Sequence, residues 1–305
     1  MTPSARPDAH RRKPPWLTKR LPDPRVLNRM RSLLDGLGLH TICESASCPN
    51  IGECWAKQTA TFLILGDVCT RRCGFCDVTT GRPGALDPFE PLHVARAVAA
   101  LGLSHAVVTS VARDDLPDGG ASHFAQTIRA IRRHNPSTTV EVLIPDFDGI
   151  AAHLETVLGA RPDILAHNIE TVPRLHRKVR PRFRYRRSLE VLAESKRRAP
   201  EVFTKSNLMV GLGESPAEVE EVMADLRAVD CDFLTIGQYL RPSEHHLPVV
   251  EYVHPDVFER YKARAEAMGF RHVAAGPFVR SSYDAASAMA AVGRAKAPLG
   301  GDGGG

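Results

Sequence analysis

Seven apolar, β-rich runs limit the fold of this chain more than any other feature. They are "TFLILGDV" from Thr61, "HAVVTSV" from His105, "TTVEVLIP" from Thr138, "DILAHNIE" from Asp163, "FTKSNLMVG" from Phe203, "FLTIGQYL" from Phe233 and "RHVAAGP" from Arg271. Between most of them lie amphipathic helical patterns: "EPLHVARAVAALG", "SHFAQTIRAIRRH", "IAAHLETVLG" and "SPAEVEEVMADLRAV". The last opens Ser215-Pro216-Ala217-Glu218, a capping box with proline at the first helical position. Strands that recur at roughly 25–44 residue intervals with helices between them predict a parallel sheet of βα units. Near-continuous apolar runs fit strands buried on both faces. Six or so units predict an α/β fold of the partial (βα)6 TIM-type barrel kind rather than a complete eight, and 305 residues is a normal length for it.

In such a barrel the chemistry sits on loops at the C-terminal ends of the strands. Polar strand endings cluster there: "TSVARDD" with Arg113, Asp114 and Asp115, "HNIET" with Asn168 and Glu170, "GLGE" with Gly211, Gly213 and Glu214, and "QYLRPS". Asn168 and Glu170 are placed to reach a cofactor, against the plainer reading of strand-end hydrogen bonding. The glycines let backbone approach a ligand closely, or else make a tight turn before the capped helix.

Six of the seven cysteines fall within residues 43–76, in two groups of three: Cys43, Cys48 and Cys54 as C-x4-C-x5-C, and Cys69, Cys73 and Cys76 as C-x3-C-x2-C. The second group follows the first strand, on the catalytic face. A disulfide framework does not suit a large chain with no secretory signal. Structural zinc prefers four closed ligands, often as paired C-x2-C units, and the spacing here differs. An iron–sulfur cluster held by three thiolates leaves one iron free to bind a substrate or cofactor. Cys231 stands alone at a helix–strand junction and reads as a buried structural thiol. The pair His245–His246 has no second ligand pair at metal spacing and reads as surface or substrate-loop histidines.

The motif "CTRRCGFC", with Phe75 before its last cysteine, on a loop after the first strand of a βα barrel, resembles the radical S-adenosylmethionine enzymes. With "HTICESASCPNIGECW" upstream, the chain resembles the lipoyl synthase family. "TSVARDDLPDGGASHF", "HNIETVPRLHRKVRP", "KSNLMVGLGES", "GQYLRPSEHHLPVVEYVHP" and "AAGPFVRSSY" follow in order, spanning roughly residues 14 to 285. Arg241, Glu244 and an Ala-rich stretch after Tyr283 depart from the family pattern.

The resemblance implies the following. Cys69, Cys73 and Cys76 hold a 4Fe–4S cluster whose open iron binds S-adenosylmethionine, with Phe75, Asn168, Glu170, Gly211, Gly213 and Glu214 near that cofactor. Cys43, Cys48 and Cys54 hold an auxiliary 4Fe–4S cluster whose fourth ligand is Ser282 of "RSSY" and which donates the sulfur; Trp55 packs over it. Without the resemblance Ser282 is an ordinary loop serine. The activity is insertion of two sulfurs at C6 and C8 of a protein-bound octanoyl-lysine, using two S-adenosylmethionine molecules. Octanoyl C–H bonds are unactivated: no general base at neutral pH can ionise them, whereas a primary carbon radical can take their hydrogen. The alternative is another radical sulfur-inserting enzyme, a tRNA methylthiotransferase or biotin synthase; the first would carry widely spaced N-terminal cysteines and an added RNA-binding domain, the second would lack the first triplet and "RSSY".

The expected layout is a disordered basic N-terminus over 1–15, a cluster-bearing extension over 16–60, the barrel over 61–276, the RSSY segment over 277–290 and a disordered Gly-rich tail over 291–305. The net charge of +5 is uneven, with basic residues crowded over 174–198. That is a solvated face or a docking surface for something anionic. Given the resemblance, an acidic lipoyl carrier domain is the expected partner there, with Arg184 and Arg186 in contact. Expected partners are octanoylated carriers (dehydrogenase E2 subunits and the glycine cleavage H protein), an electron donor and an iron–sulfur carrier, with no nucleic acid and no membrane. No apolar run nears the roughly 20 residues that span a bilayer. An Arg-rich, acid-poor start leaves a transit peptide conceivable, but its prolines oppose an amphipathic helix and the expected location is cytoplasmic.

Overall fold

The structure, a computed structural model, describes residues 12–57 and 59–293. Most of the basic arm expected over 1–15 and of the tail expected over 291–305 lies outside the described residues. Eight strands form one sheet: β1 (His40–Thr41), β2 (Thr61–Ile64), β3 (His105–Ser110), β4 (Thr139–Leu143), β5 (Ile164–Ala166), β6 (Phe203–Val210), β7 (Phe233–Gln238) and β8 (His272–Gly276). They lie side by side in chain order. From β2 to β8 every neighbouring pair is parallel. Six βα units and a last strand therefore make the expected partial barrel. The two-residue β1 pairs antiparallel with β2 and is an addition the apolar pattern does not show. Among the described residues β8 does not pair with β1, so the barrel stays open along that seam.

The helices are α1 (Pro24–Gly36), α2 (Ile42–Ser45), α3 (Ile51–Ala56), α4 (Glu90–Ala100), α5 (Ala121–His134), α6 (Ala151–Leu158), α7 (Pro173–Val179), α8 (Tyr185–Arg198), α9 (Pro216–Ala228), α10 (Pro255–Ala267) and α11 (Ala285–Ala291). The local signals do what they promise. Ser215 and Glu218 close the capping box of α9, and Asp23 accepts from the Arg25 N–H ahead of α1, with proline at the first position of both helices. Arg132, Arg133 and His134 end α5, where positive charge suits the helix dipole.

Strand residues alternate between the barrel interior and the helix layer. Leu208, Val210, Leu234 and Ile236 pack outward against α9 and α10 residues such as Val222 and Phe258. Inward residues stack in layers along the register. At the N-terminal end Ile164, Phe203 and Phe233 pack on Ala288 and Met289 of α11, which plugs that end. One layer up, Lys205 on β6 pairs with Glu141 on β4 at 2.8 Å, and His105 on β3 lies 3.4 Å from the same carboxylate. Next, Thr235 donates to Asn207 at 2.8 Å. Asn168 and Glu170 close the column at the C-terminal end. Polar side chains thus reach the C-terminal end of the barrel interior, where the second cysteine triplet lies.

Candidate active site

The loop after β2 carries the second cysteine triplet, and the polar strand endings build it. Leu65 turns the chain with φ 71°, and its N–H donates to Glu90 at 2.8 Å. Arg113 is buried, donates to the Leu65 and Gly84 carbonyls and pairs with Asp115 at 2.9 Å. It thus clamps both ends of the loop. Asp114 binds Arg71 at 2.7 Å, and Arg71 also meets Asp146 at 2.6 Å. The acid pair after β3 therefore anchors the cysteine loop.

Cys69, Cys73 and Cys76 are all free, and they lie close enough that Cys69 raises Cys73 and that both raise Cys76. Burial pushes Cys73 up to about 11 and Cys76 to about 12. Cys69 accepts the N–H groups of Arg71 and Ala112 at 3.4 and 3.3 Å. Backbone donors on sulfur are a device by which proteins tune bound clusters. Phe75 packs with Val179, Leu212 and Tyr239, while Gly74 accepts from the Leu247 N–H at 2.9 Å. His246 Nε2 lies 3.0 Å from the Cys76 carbonyl, so this histidine braces the loop and His245 takes no part.

Asn168 and Glu170 are both buried. Glu170 has φ 66° and accepts from Asn168 at 2.9 Å and Asn207 at 3.1 Å. Its charge reaches Cys73 and Cys76 and raises both. Among the described residues Asn168 Oδ1 is buried with no hydrogen-bond partner, an open acceptor at this end of the barrel. Arg180 is buried too; it donates to the Asn168 carbonyl at 2.6 Å, its Nε is unpartnered, and its guanidinium lies beside Cys73. Gly211 and Gly213 have φ of 99° and 105°. A Cβ on Gly211 would stand 2.2 Å from Gln238 Nε2 and 2.5 Å from the Glu251 carbonyl. Glu214 spends its carboxylate on the N–H groups of Gly211 and Leu212, and burial raises its pKa. Glu214 thus closes the turn that leads into α9.

The first triplet sits at the open seam. Cys43 is buried beside Trp55, and burial pushes its thiol up to about 12, with Cys48 and Cys54 adding to the rise. The Trp55 N–H has no conventional acceptor and lies next to the Cys43 sulfur. The Thr61 N–H points at the same sulfur, and the Thr61 hydroxyl donates to Ser282 at 2.9 Å. Thr61 thus links Ser282, 221 positions beyond it, to the first triplet. Arg280 adds its charge near Cys48. The segments lock together around this point. Lys19 donates to Asn50 at 2.6 Å and Glu53 at 2.8 Å, Asn50 donates to the Phe278 carbonyl at 2.7 Å, and the Tyr283 hydroxyl donates to Glu53 at 3.0 Å. Lys19 holds the Glu53 carboxyl down to about 2.

Both triplets offer soft sulfur donors, with further buried polar atoms at the second. Among the described residues no three His, Cys, Asp or Glu side chains gather tightly enough for a lone metal ion. That departs from closed zinc geometry. Thiols pushed up by burial ionise only when cations join them, as the irons of a cluster would. Cys231 is buried and donates to the Phe233 carbonyl at 3.4 Å, away from both triplets. Arg71, Arg180 and Asn207 were not singled out from sequence. Arg71 lies inside "CTRRC", but Arg180 hides in a basic run that reads as surface.

An open, parallel βα barrel with a three-cysteine loop after its first parallel strand defines a class, and the comparisons agree. The Radical SAM superfamily matches residues 63–226. In fold the chain is similar to methylornithine synthase, with a TM-score of 0.53 at 13% identity over 91% of this chain and 84% of that one. It is also similar to a maturase of the [FeFe]-hydrogenase, with a TM-score of 0.55 at 13% identity over 84% of this chain and 62% of that one. In sequence it is 59% identical over 273 residues to a lipoyl synthase of Rubrobacter xylanophilus, covering 90% of this chain and 85% of that one. It is 56% identical over 272 residues to a lipoyl synthase of Caldicellulosiruptor saccharolyticus, covering 89% and 95%. The chain belongs to the radical SAM superfamily and, within it, to the lipoyl synthase family; it is a radical sulfur-inserting enzyme.

Proposed function

We propose that this chain's two cysteine triplets divide the work of building a lipoyl group on a protein-bound octanoyl-lysine. Cys69, Cys73 and Cys76 hold the 4Fe–4S cluster that, with S-adenosylmethionine, supplies the carbon radical needed for unactivated C–H bonds. Cys43, Cys48 and Cys54, with Ser282, hold a second 4Fe–4S cluster, the source of both sulfurs. Asn168, with its open oxygen, and Glu170 orient the cofactor. The loop from Gly211 to Glu214 presents backbone to it, and Phe75 fixes the cysteine loop. Arg180 offers its free Nε to the same mouth and offsets the negative charge that three thiolates bring. The extension over 16–60 and the segment over 277–290 serve the auxiliary cluster; 61–276 is the radical barrel. The carriers are octanoylated lipoyl domains, such as dehydrogenase E2 subunits and the glycine cleavage H protein. A separate electron donor and an iron–sulfur carrier complete the cycle, in a cytoplasm that keeps thiols reduced.

The observation that carries this reading is the bridge made by Thr61, whose N–H points at the Cys43 sulfur while its hydroxyl donates to Ser282 at 2.9 Å. That bridge supports Ser282 as the fourth donor. The reading is tested by anaerobic incubation of reconstituted enzyme with S-adenosylmethionine, a strong reductant and an octanoyl-lysyl peptide. The expected products are a peptide heavier by two sulfurs and about two 5'-deoxyadenosines for each. Alanine at Cys43, Cys48 and Cys54 should abolish sulfur transfer and leave deoxyadenosine formation. Alanine at Cys69, Cys73 and Cys76 should abolish both. Equal loss of both products in the first variant would refute the division.

A further inference from the structure

The basic run over 174–198 folds into α7 and α8 with a short loop between them. With Asp148 it walls a cleft of about 690 Å³. Arg187 is committed to Asp146 at 3.3 Å and Asp148 at 2.8 Å. Arg182 reaches only within 4.0 Å of Asp114, and its side chain is 67% exposed. Arg177 and Arg184 are exposed, and among the described residues they pair with no carboxylate. The cleft therefore faces solvent with surplus positive charge, which complements an acidic protein.

Its floor decides which acidic protein. Phe183 lines the cleft, with the Arg180 guanidinium 3.7 Å and the Arg71 guanidinium 4.4 Å from its ring centre. Both arginines are buried. Behind the ring, Arg180 lies beside Cys73. Phe183 and Arg180 therefore form a short chain of contacts from the cleft to Cys73. An electron crosses such contacts without needing an opening. A redox partner at this run makes use of that chain directly, which a carrier's octanoyl arm does not.

We propose that this cleft docks an acidic, one-electron-donating protein, with Phe183 and Arg180 between the donor and Cys73. The proposal rests on the assignment of Cys69, Cys73 and Cys76 to a cluster. In the step itself the donor centre is oxidised by one electron and the cluster reduced by one; no bond forms or breaks and no proton moves.

The test uses the full chain with both clusters and a reduced plant-type [2Fe–2S] ferredoxin as the acidic probe, with dithionite as the small reductant. In the double variant R177E/R184E, ferredoxin-driven reduction of the cluster at low ionic strength should fall at least about tenfold. Ferredoxin binding, measured by titration, should weaken alongside it. Reduction by dithionite and dithionite-driven sulfur insertion should stay at wild-type values, which also shows that the variant is folded. In the unaltered chain, salt alone should slow the ferredoxin reaction steeply. A ferredoxin rate unmoved by either charge reversal or salt overturns the proposal. So does a variant that loses dithionite-driven turnover on a whole carrier while keeping it on an octanoyl-lysyl peptide, because the cleft is then the carrier's. Failure of the unaltered chain to insert sulfur under dithionite strikes instead at the functional reading, while ferredoxin binding still reports on the cleft.

Discussion

Ser282 tests the division of labour at a single atom. A hydroxyl oxygen is a harder and weaker partner for iron than a thiolate, and a cluster dismantled in each turnover benefits from a ligand that lets go. Ser282→Cys should keep its iron and its deoxyadenosine formation. Lipoyl product should fall about tenfold or more, in the range for altered ligand environments. Full product from the cysteine variant would remove release by serine from the account. At this scale the cysteines are legible because C-x3-C-x2-C is a local spacing with few other uses. Arg180 is not legible: it sits among many arginines, and only the fold shows that it is buried beside Cys73 while Arg177, Arg182 and Arg184 remain in water. Asn207 is hidden for a related reason. It lies inside an apolar strand, and whether an inward polar residue serves a site depends on its height in the barrel.

Elements show their type in sequence but not what they enclose. The helices α4, α5, α6 and α9 fall where the amphipathic patterns place them, because 3.6-residue periodicity and capping are local. The charged layer across β3, β4 and β6 gives no such signal. Glu141 is buried, yet Lys205 and His105 hold its carboxyl below the usual range against the opposing effect of burial. A carboxyl held low stabilises the fold above its ordinary pKa, and that contribution fades as pH falls through the lowered value. Lys205→Met leaves Glu141 buried without its main partner, which should cost about 3–5 kcal/mol near neutral pH. In that variant only His105 is left to oppose burial, so the carboxyl rises and acidification neutralises and relieves it. The stability gap to wild type, followed by thermal unfolding, should therefore narrow from about pH 7.5 to about pH 5. A gap that widens would contradict the pairing. The turn after β6 makes a sharper claim: Gly211→Ala forces a Cβ into Gln238 and the Glu251 carbonyl at φ 99°. It should cost about 2–4 kcal/mol by strain and overpacking, and more activity than its distance from any cysteine suggests.

At the scale of the molecule, the open seam between β1 and β8 is where sequence reading runs out. A complete barrel would hydrogen-bond its last strand to its first; here segments on either side of the barrel, within residues 19–53 and 278–283, meet across the gap. Asn50, buried, links Lys19 to the Phe278 carbonyl, and Tyr283 reaches Glu53 across 230 positions. No periodicity encodes contacts that distant, although the cysteines and "RSSY" each stand out locally. The same contacts set the position of the first triplet relative to Ser282, so the latch links closure of the barrel to readiness of the proposed sulfur source. Asn50→Ala with Tyr283→Phe removes it without touching a proposed ligand. Losing a buried carboxamide's hydrogen bonds costs about 1–3 kcal/mol, enough to open the seam locally while the helix-covered barrel stays folded. Amide exchange should then quicken over residues 40–57 and 277–291 and stay unchanged in β3 to β7. Iron content should fall by up to about half, as expected when one of two clusters is lost. Sulfur insertion should drop with the iron while deoxyadenosine formation persists. Exchange that quickens throughout the barrel, with both products lost together, would mean that the ends hold up the whole fold and are not a latch on one site.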